Sequence, residues 1–186
     1  GSPRNVRWIA LVLFVSARRL YWPATYNDFI QTYDDSGYIT PNLKVQQGLT
    51  LGNLYAAFTE PFLSNWHPLT ILSHMADCQM YGLKPWGHHF GNILLHSLNS
   101  ALLFLVLRRL TGNAIGSLAV ALLFAVHPLH VQSVAFIAQR KDVLSTFFWI
   151  LAMGAYARYA ARPRISAYLL VVLAFVLGLL SKPMVV

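Results

Sequence analysis

Apolar residues run along this chain in five long stretches, at about residues 6–22, 90–107, 115–138, 143–159 and 166–180. Each comes near the roughly 20 residues that a helix needs to cross a bilayer. Runs of this length, without the alternation of a half-buried strand, predict helices, because in hydrocarbon a helix satisfies all its own backbone groups. Arg18 and Arg19 interrupt the first run, Arg108 and Arg109 close the second, and Pro128 breaks the third. Residues 26–89, rich in proline, glycine and acidic positions, are too polar to span. They predict a large extramembrane loop with short helices lying on the membrane surface. In that loop Leu69, Leu72, Met75, Ala76 and Met80 fall largely on one helical face, with Trp66 as an interfacial anchor ahead of them.

Composition turns this pattern into a fold class. Of 186 residues, 56% are hydrophobic and 11% charged, against roughly 25% charged in a soluble domain, and the mean hydropathy is +0.51. The expectation is an all-α, polytopic integral membrane protein. The net charge of +8 comes without the basic face of a nucleic-acid binder, so nucleic acid is excluded and anionic lipid or a phosphate-bearing lipid substrate is the better partner. With the N-terminus cytoplasmic, Arg4, Arg7, Arg108, Arg109, Arg158, Arg162 and Arg164 lie inside and Lys44, Lys84, Arg140, Lys141 and Lys182 outside. That bias places the loop on the extracytoplasmic side. Cys78, the single cysteine, forms no disulfide within the chain and reads as a small membrane-facing hydrophobe. The first apolar run reads as a retained helix rather than a cleaved signal, and the chain stops just after its last apolar run, as an interrupted polytopic protein would.

Several polar positions then need a reason. Asp34 and Asp35 stand side by side in a chain with six acids. "DDSG" is good turn chemistry, and paired carboxylates can equally take a proton or hold a divalent cation, so both readings stand. His89, Asn92, His96 and Asn99 recur at spacings of three, four and three, on one side of the second membrane helix. Such a stripe either bonds neighbouring helices or lines a cavity. Asn65 and His67 bracket Trp66 in "NWHPLT". Arg140 and Lys141 either snorkel or grip a phosphate, and Asp142 suits the start of its helix through the dipole. Seven histidines invite a metal, but neither cysteine clusters nor a His-Glu-X-X-His pattern accompany them, which leaves any metal unassigned.

The ordered set "YDDSGYIT", "VQQGLT", "AFTEPF", "NWHPLTILSHMADCQMYGL", "GHHFGNILLHSLNSALLFLVLRRLTG", "LFAVHPLHVQSVAFIAQRKDVLSTFF" and "LLSKPM" resembles the membrane domain of the transmembrane and tetratricopeptide-repeat O-mannosyltransferase-like family, from about residue 21 to 184. The resemblance implies part of a GT-C fold spanning residues 1–186, without the family's repeat domain. It implies transfer of a sugar of the mannose type from a polyprenyl-phosphate carrier to a protein hydroxyl, with a divalent metal possible. Asp34 and Asp35 match the family's first-loop acids and take the role of base. Arg140 and Lys141 match its "RKD" and would neutralise the carrier phosphate; Asn65, His67, His89 and His96 match its recurrent polar positions. The implied location is a multi-pass protein of the endoplasmic reticulum in a eukaryote, or of the plasma or inner membrane in a bacterium. Gln132 and Gln139 stand where the family carries glutamates, and glutamine cannot take a proton at neutral pH. The alternative is a shortened, inactive relative serving as an accessory subunit of a larger membrane complex.

Overall fold

The second apolar run forms the longest helix and the centre of the fold. A computed structural model describes residues 3–30, 38–62 and 65–183. In chain order the helices are α1 (Pro3–Tyr21), α2 (Leu43–Gln46), α3 (Leu51–Thr59), α4 (Pro68–Tyr81), α5 (Pro85–Thr111), α6 (Ala114–Val126), α7 (Leu129–Ala135), α8 (Arg140–Ala161) and α9 (Ile165–Ser181). Single 3-10 turns lie at Trp22–Tyr26 and Ile137–Gln139. No named strand occurs among the described residues; a single backbone bridge joins Phe62 to Asn65. Pro85 opens α5 where the missing N–H is no loss. Gly112 closes it in the left-handed region (φ +69°), which lets the chain reverse into α6.

On one side of α5 pack α1 and α6, whose Val6, Ala10, Leu13 and Ala121 bury Phe104. The other side takes α8, close enough that a Cβ on Gly154 would lie 3.1 Å from Val106, and α9 covers α8. The loop helices cap one end around Tyr38, Ile39, Val45, Ile71, Met75 and Ile137. Arg109, Arg158, Arg162 and Arg164 gather at the opposite end.

The structure refines several expectations. Among the described residues, only Pro85–Thr111 is by itself long and apolar enough to cross a membrane. The third run is two helices, α6 and α7, bent by 61° across His127-Pro128, a broken span or re-entrant loop rather than one kinked helix. Proline removes a helical donor and disfavours helical backbone at His127, which is extended (φ −64°, ψ 128°). Helix α4 does not simply lay its apolar face on a surface: Met75 of that face is buried in the cap with Leu72 packed against it, together with Thr70, Ile71, His74, Asp77 and Cys78, while Met80 is exposed. Cys78 therefore packs in the core of the cap and does not face the membrane. Burial, and next the neighbouring Asp77, push its thiol up to about 11.

Candidate functional site

The polar stripe of α5 is buried along its length and meets a different element at each position. His88, His89, Asn92, His96 and Asn99 are all within 2% of complete burial. Asn92 donates to the Phe136 carbonyl at 2.8 Å, His96 Nε2 to Ala125 at 3.1 Å and Asn99 to Val143 at 2.8 Å. Of these carbonyls, Ala125 lies in the last turn of α6, where the backbone runs out of helical partners, Phe136 lies in the break between α7 and the turn before α8, and Val143 lies in the first turn of α8. The stripe thus fastens α6, the turn before α8 and α8 itself to α5.

At the capped end, Arg140 enters the protein rather than solvent. Its Nη2 donates to Asp77 Oδ2 at 2.5 Å and to the His88 carbonyl at 2.8 Å, and its Nε donates to Asn92 Oδ1. The space it occupies exists because residue 91 is glycine; a Cβ there would lie 2.5 Å from Nη2. His88 Nδ1 lies 3.7 Å from the same Asp77 oxygen, and His74 completes the cluster. Burial, then the charge of Arg140, hold His74 well below the ordinary imidazole range, so it is neutral. His67, buried against Tyr38, is lowered to about 4 by burial and then by Lys141.

Ligand atoms of His74, Asp77 and His88 all lie within 4.8 Å of one another, a spacing that could hold a metal ion. However, the carboxylate oxygen a metal would use already takes the Arg140 guanidinium at 2.5 Å, and a dication would face that cation at contact distance. With Arg140 in place the group does not fit a metal, and the knot is a closed ion pair with its own hydrogen bonds.

A second polar region adjoins it and is open. A cavity of about 330 Å³ lies between α5, the α6–α7 bend and α8, and Lys182 borders it. Lys182 Nζ donates to Asp142 Oδ1 at 2.5 Å, and Ser133 donates to Asp142 Oδ2 at 3.2 Å. Deeper in, the rings of His96, Phe124 and His130 pack together, with centroids 4.5 to 5.5 Å apart. Asn99 Oδ1 is buried and has no hydrogen-bond partner among the described residues. At the mouth Trp149 is half exposed. The volume falls in the range of small-molecule sites, and the lining combines an apolar wall with a few directed polar groups.

The residues expected from sequence divide among these places. Asp34 and Asp35 lie outside the described residues. Lys141 sits over the Tyr38 ring, 5.4 Å from its centroid, and Asn65 is exposed in the bridge to Phe62. Arg140, His67 and His89 are buried at the capped end, and His96 lines the open cavity. Gln132 is exposed and Gln139 half-buried. Sequence reasoning missed Asp77, 63 positions from its arginine partner, and Lys182, assigned only a side of the membrane.

A long apolar helix with a buried polar stripe, packed among other helices beside an open cavity, defines an α-helical bundle whose central helix is long and apolar enough to cross a membrane. The chain belongs to the dolichyl-phosphate-mannose-protein mannosyltransferase family, whose model matches residues 75–186. Among curated relatives it is 32% identical over 157 residues to protein O-mannosyl-transferase Tmtc1 of Drosophila melanogaster, covering 81% of this chain and 18% of that protein. It is 27% identical over 161 residues to human protein O-mannosyl-transferase TMTC3, covering 83% of this chain and 17% of the relative. With human TMTC4 the figures are 34% over 172 residues, 81% and 23%. The chain thus spans less than a quarter of the length of each. No solved structure matches it significantly.

Proposed function

We propose that this chain is the N-terminal part of a GT-C membrane glycosyltransferase that moves a mannose-type sugar from a polyprenyl-phosphate carrier to a protein hydroxyl. The relatives' printed names supply the sugar and the protein acceptor. In this reading α1, α5, the α6–α7 pair, α8 and α9 are the five spans, and residues 26–89 form the extracytoplasmic cap.

The observation that carries the reading is the chemistry left over in the open cavity. Asn99 Oδ1 is a buried acceptor without a donor, and Lys182 is a cation with a third of its side chain exposed. A sugar hydroxyl would satisfy the first, and the carrier phosphate would approach the second from the bilayer past Trp149. Transfer would proceed by attack of the acceptor oxygen on the anomeric carbon. The bond from that carbon to the phosphate oxygen breaks, the phosphate leaves on the carrier, and a carboxylate takes the hydroxyl proton. A positioned base is worth about 10²- to 10⁴-fold, and a cation on the leaving phosphate stabilises the charge that develops there. Asp34 and Asp35 remain our assignment for the base; the chain returns at Tyr38, three residues beyond Asp35, beside His67 and Lys141. Arg140, whose donors are directed at Asp77, Asn92 and His88, becomes a positioning residue that anchors the start of α8, and Lys182 takes over its phosphate role.

The test is sugar transfer by the full-length protein in membranes from polyprenyl-phosphate mannose to a protein acceptor. Transfer that disappears in an Asp34→Asn, Asp35→Asn double variant is the expected result, and full activity in that variant would remove the base assignment. A stable full-length protein without transfer, co-purifying with stoichiometric membrane partners, would favour the accessory-subunit reading.

A further inference from the structure

A second hollow, of about 400 Å³, lies at the end of the bundle opposite the cap, between the last turns of α5 and α8 and the first turn of α9. Arg109, Arg158, Arg162 and Arg164 line it, with Ser166 and Ala167. Four guanidinium groups converging in one place repel one another unless anions intervene. Among the described residues no acid pairs with them. The chain's acids are at positions 28, 34, 35, 60, 77 and 142, and among the described residues Glu60 pairs with Lys44, Asp77 with Arg140 and Asp142 with Lys182. No described ion pair involves any of the four arginines. The start of α9 adds to the demand: its N-cap, Arg164, makes no side-chain cap hydrogen bond, and the positive end of the helix dipole points into the same region.

We infer that this hollow binds the phosphate of an anionic phospholipid in the leaflet on that side. Phosphate matches the guanidinium fork in geometry and charge. A lipid is the source that fits the surroundings. Arg109 lies in the last turn of α5, the helix apolar enough to span, and Ile165, Leu169 and Leu173 of α9 are exposed next to the hollow, an apolar strip on which acyl chains can lie. The inference rests on the membrane placement proposed above.

The experiment uses the full-length protein reconstituted in vesicles of phosphatidylcholine with or without phosphatidylglycerol, together with native mass spectrometry to count retained lipids. An Arg162→Gln, Arg164→Gln variant keeps Arg109 and Arg158, so that the orienting charges of the helix ends are preserved. Phosphatidylglycerol should be retained and should raise the melting temperature of the parent protein. Its affinity should be weaker in the variant by roughly thirtyfold, as two cations at an anionic surface would give, with sugar transfer in phosphatidylcholine unchanged as a check on folding. Equal retention by parent and variant would overturn the inference. So would an equal effect of inorganic phosphate on the protein in phosphatidylcholine, which would make free phosphate the ligand. If alkaline carbonate strips the protein from membranes, the membrane placement fails and this site with it, whereas an integral protein indifferent to headgroup charge refutes the site alone.

Discussion

Two ion pairs of the same length flank the start of α8, and they behave as different objects. Asp77 and Arg140 meet at 2.5 Å with 7% and 3% of their side chains exposed; Asp142 and Lys182 meet at 2.5 Å with 28% and 33% exposed. In the first, both charges have lost water and depend on each other and on Asn92 and the His88 carbonyl. In the second, water and an incoming ligand can compete for either charge. Contact distance does not tell these situations apart; burial does. A sealed pair holds architecture, and an open pair is available for chemistry.

The largest effect that could break this contrast is loss of one sealed partner. Arg140→Ala or Asp77→Ala should cost about 3–5 kcal/mol, because each leaves a buried charge without its counterpart. An Asp77→Leu, Arg140→Met double variant should recover much of that loss. Thermal unfolding of the detergent-solubilised protein would read both, and a fully stable single variant would mean that the knot is not sealed. Gly91→Ala comes next. Its Cβ would press on a guanidinium that three hydrogen bonds hold in place, and overpacking of this kind costs about 1–3 kcal/mol.

Acid should loosen the capped end. His67 titrates at about 4 in the folded protein, below the ordinary 6.5, and His74 is lowered in the same direction. The stabilisation from these neutral imidazoles is complete above pH 6.5. As pH falls from there, the unfolded chain takes up protons that the folded state refuses. Stability should then drop by up to about 1.4 kcal/mol per pH unit for His67 until pH 4, where its contribution ends. A His67→Gln variant should show a flatter melting-temperature profile over that range. The smallest stability effect is expected at the open pair, where Lys182→Ala should change stability by about 0–1 kcal/mol.

Much of the bundle is legible in the chain. The stripe at 89, 92, 96 and 99 is readable because helical spacing alone puts those positions on one face, and α5 and α8 extend the expected segments by only a few residues. The buried face of α4 is not readable in this way, because it carries the polar residues Thr70, His74 and Asp77 beside Ile71, Met75 and Cys78. Tyr38, Ile39 and Ile137, distant in sequence, decide which side is covered. Asp77 is hidden for the same reason, since nothing local to it points to an arginine 63 positions further along the chain. Pro128 announces a break in the third run, but the 61° turn depends on how α7 packs against α5. Arg140 shows the limit of reading charge from sequence: next to Lys141 at a helix start it resembles an exposed phosphate ligand, and only Gly91 and Asp77 together make room for it inside.

The most direct test of the contrast between sealed and open pairs is the rate of sugar transfer by the full-length protein carrying Lys182→Ala, with Lys44→Ala at the exposed Glu60 pair as control. The account predicts a fall of roughly 10²- to 10³-fold at Lys182, the scale for removing one charge-stabilising donor, with an unchanged melting temperature and a control that keeps its rate. A Lys182→Ala protein that transfers sugar at the parent rate would contradict it.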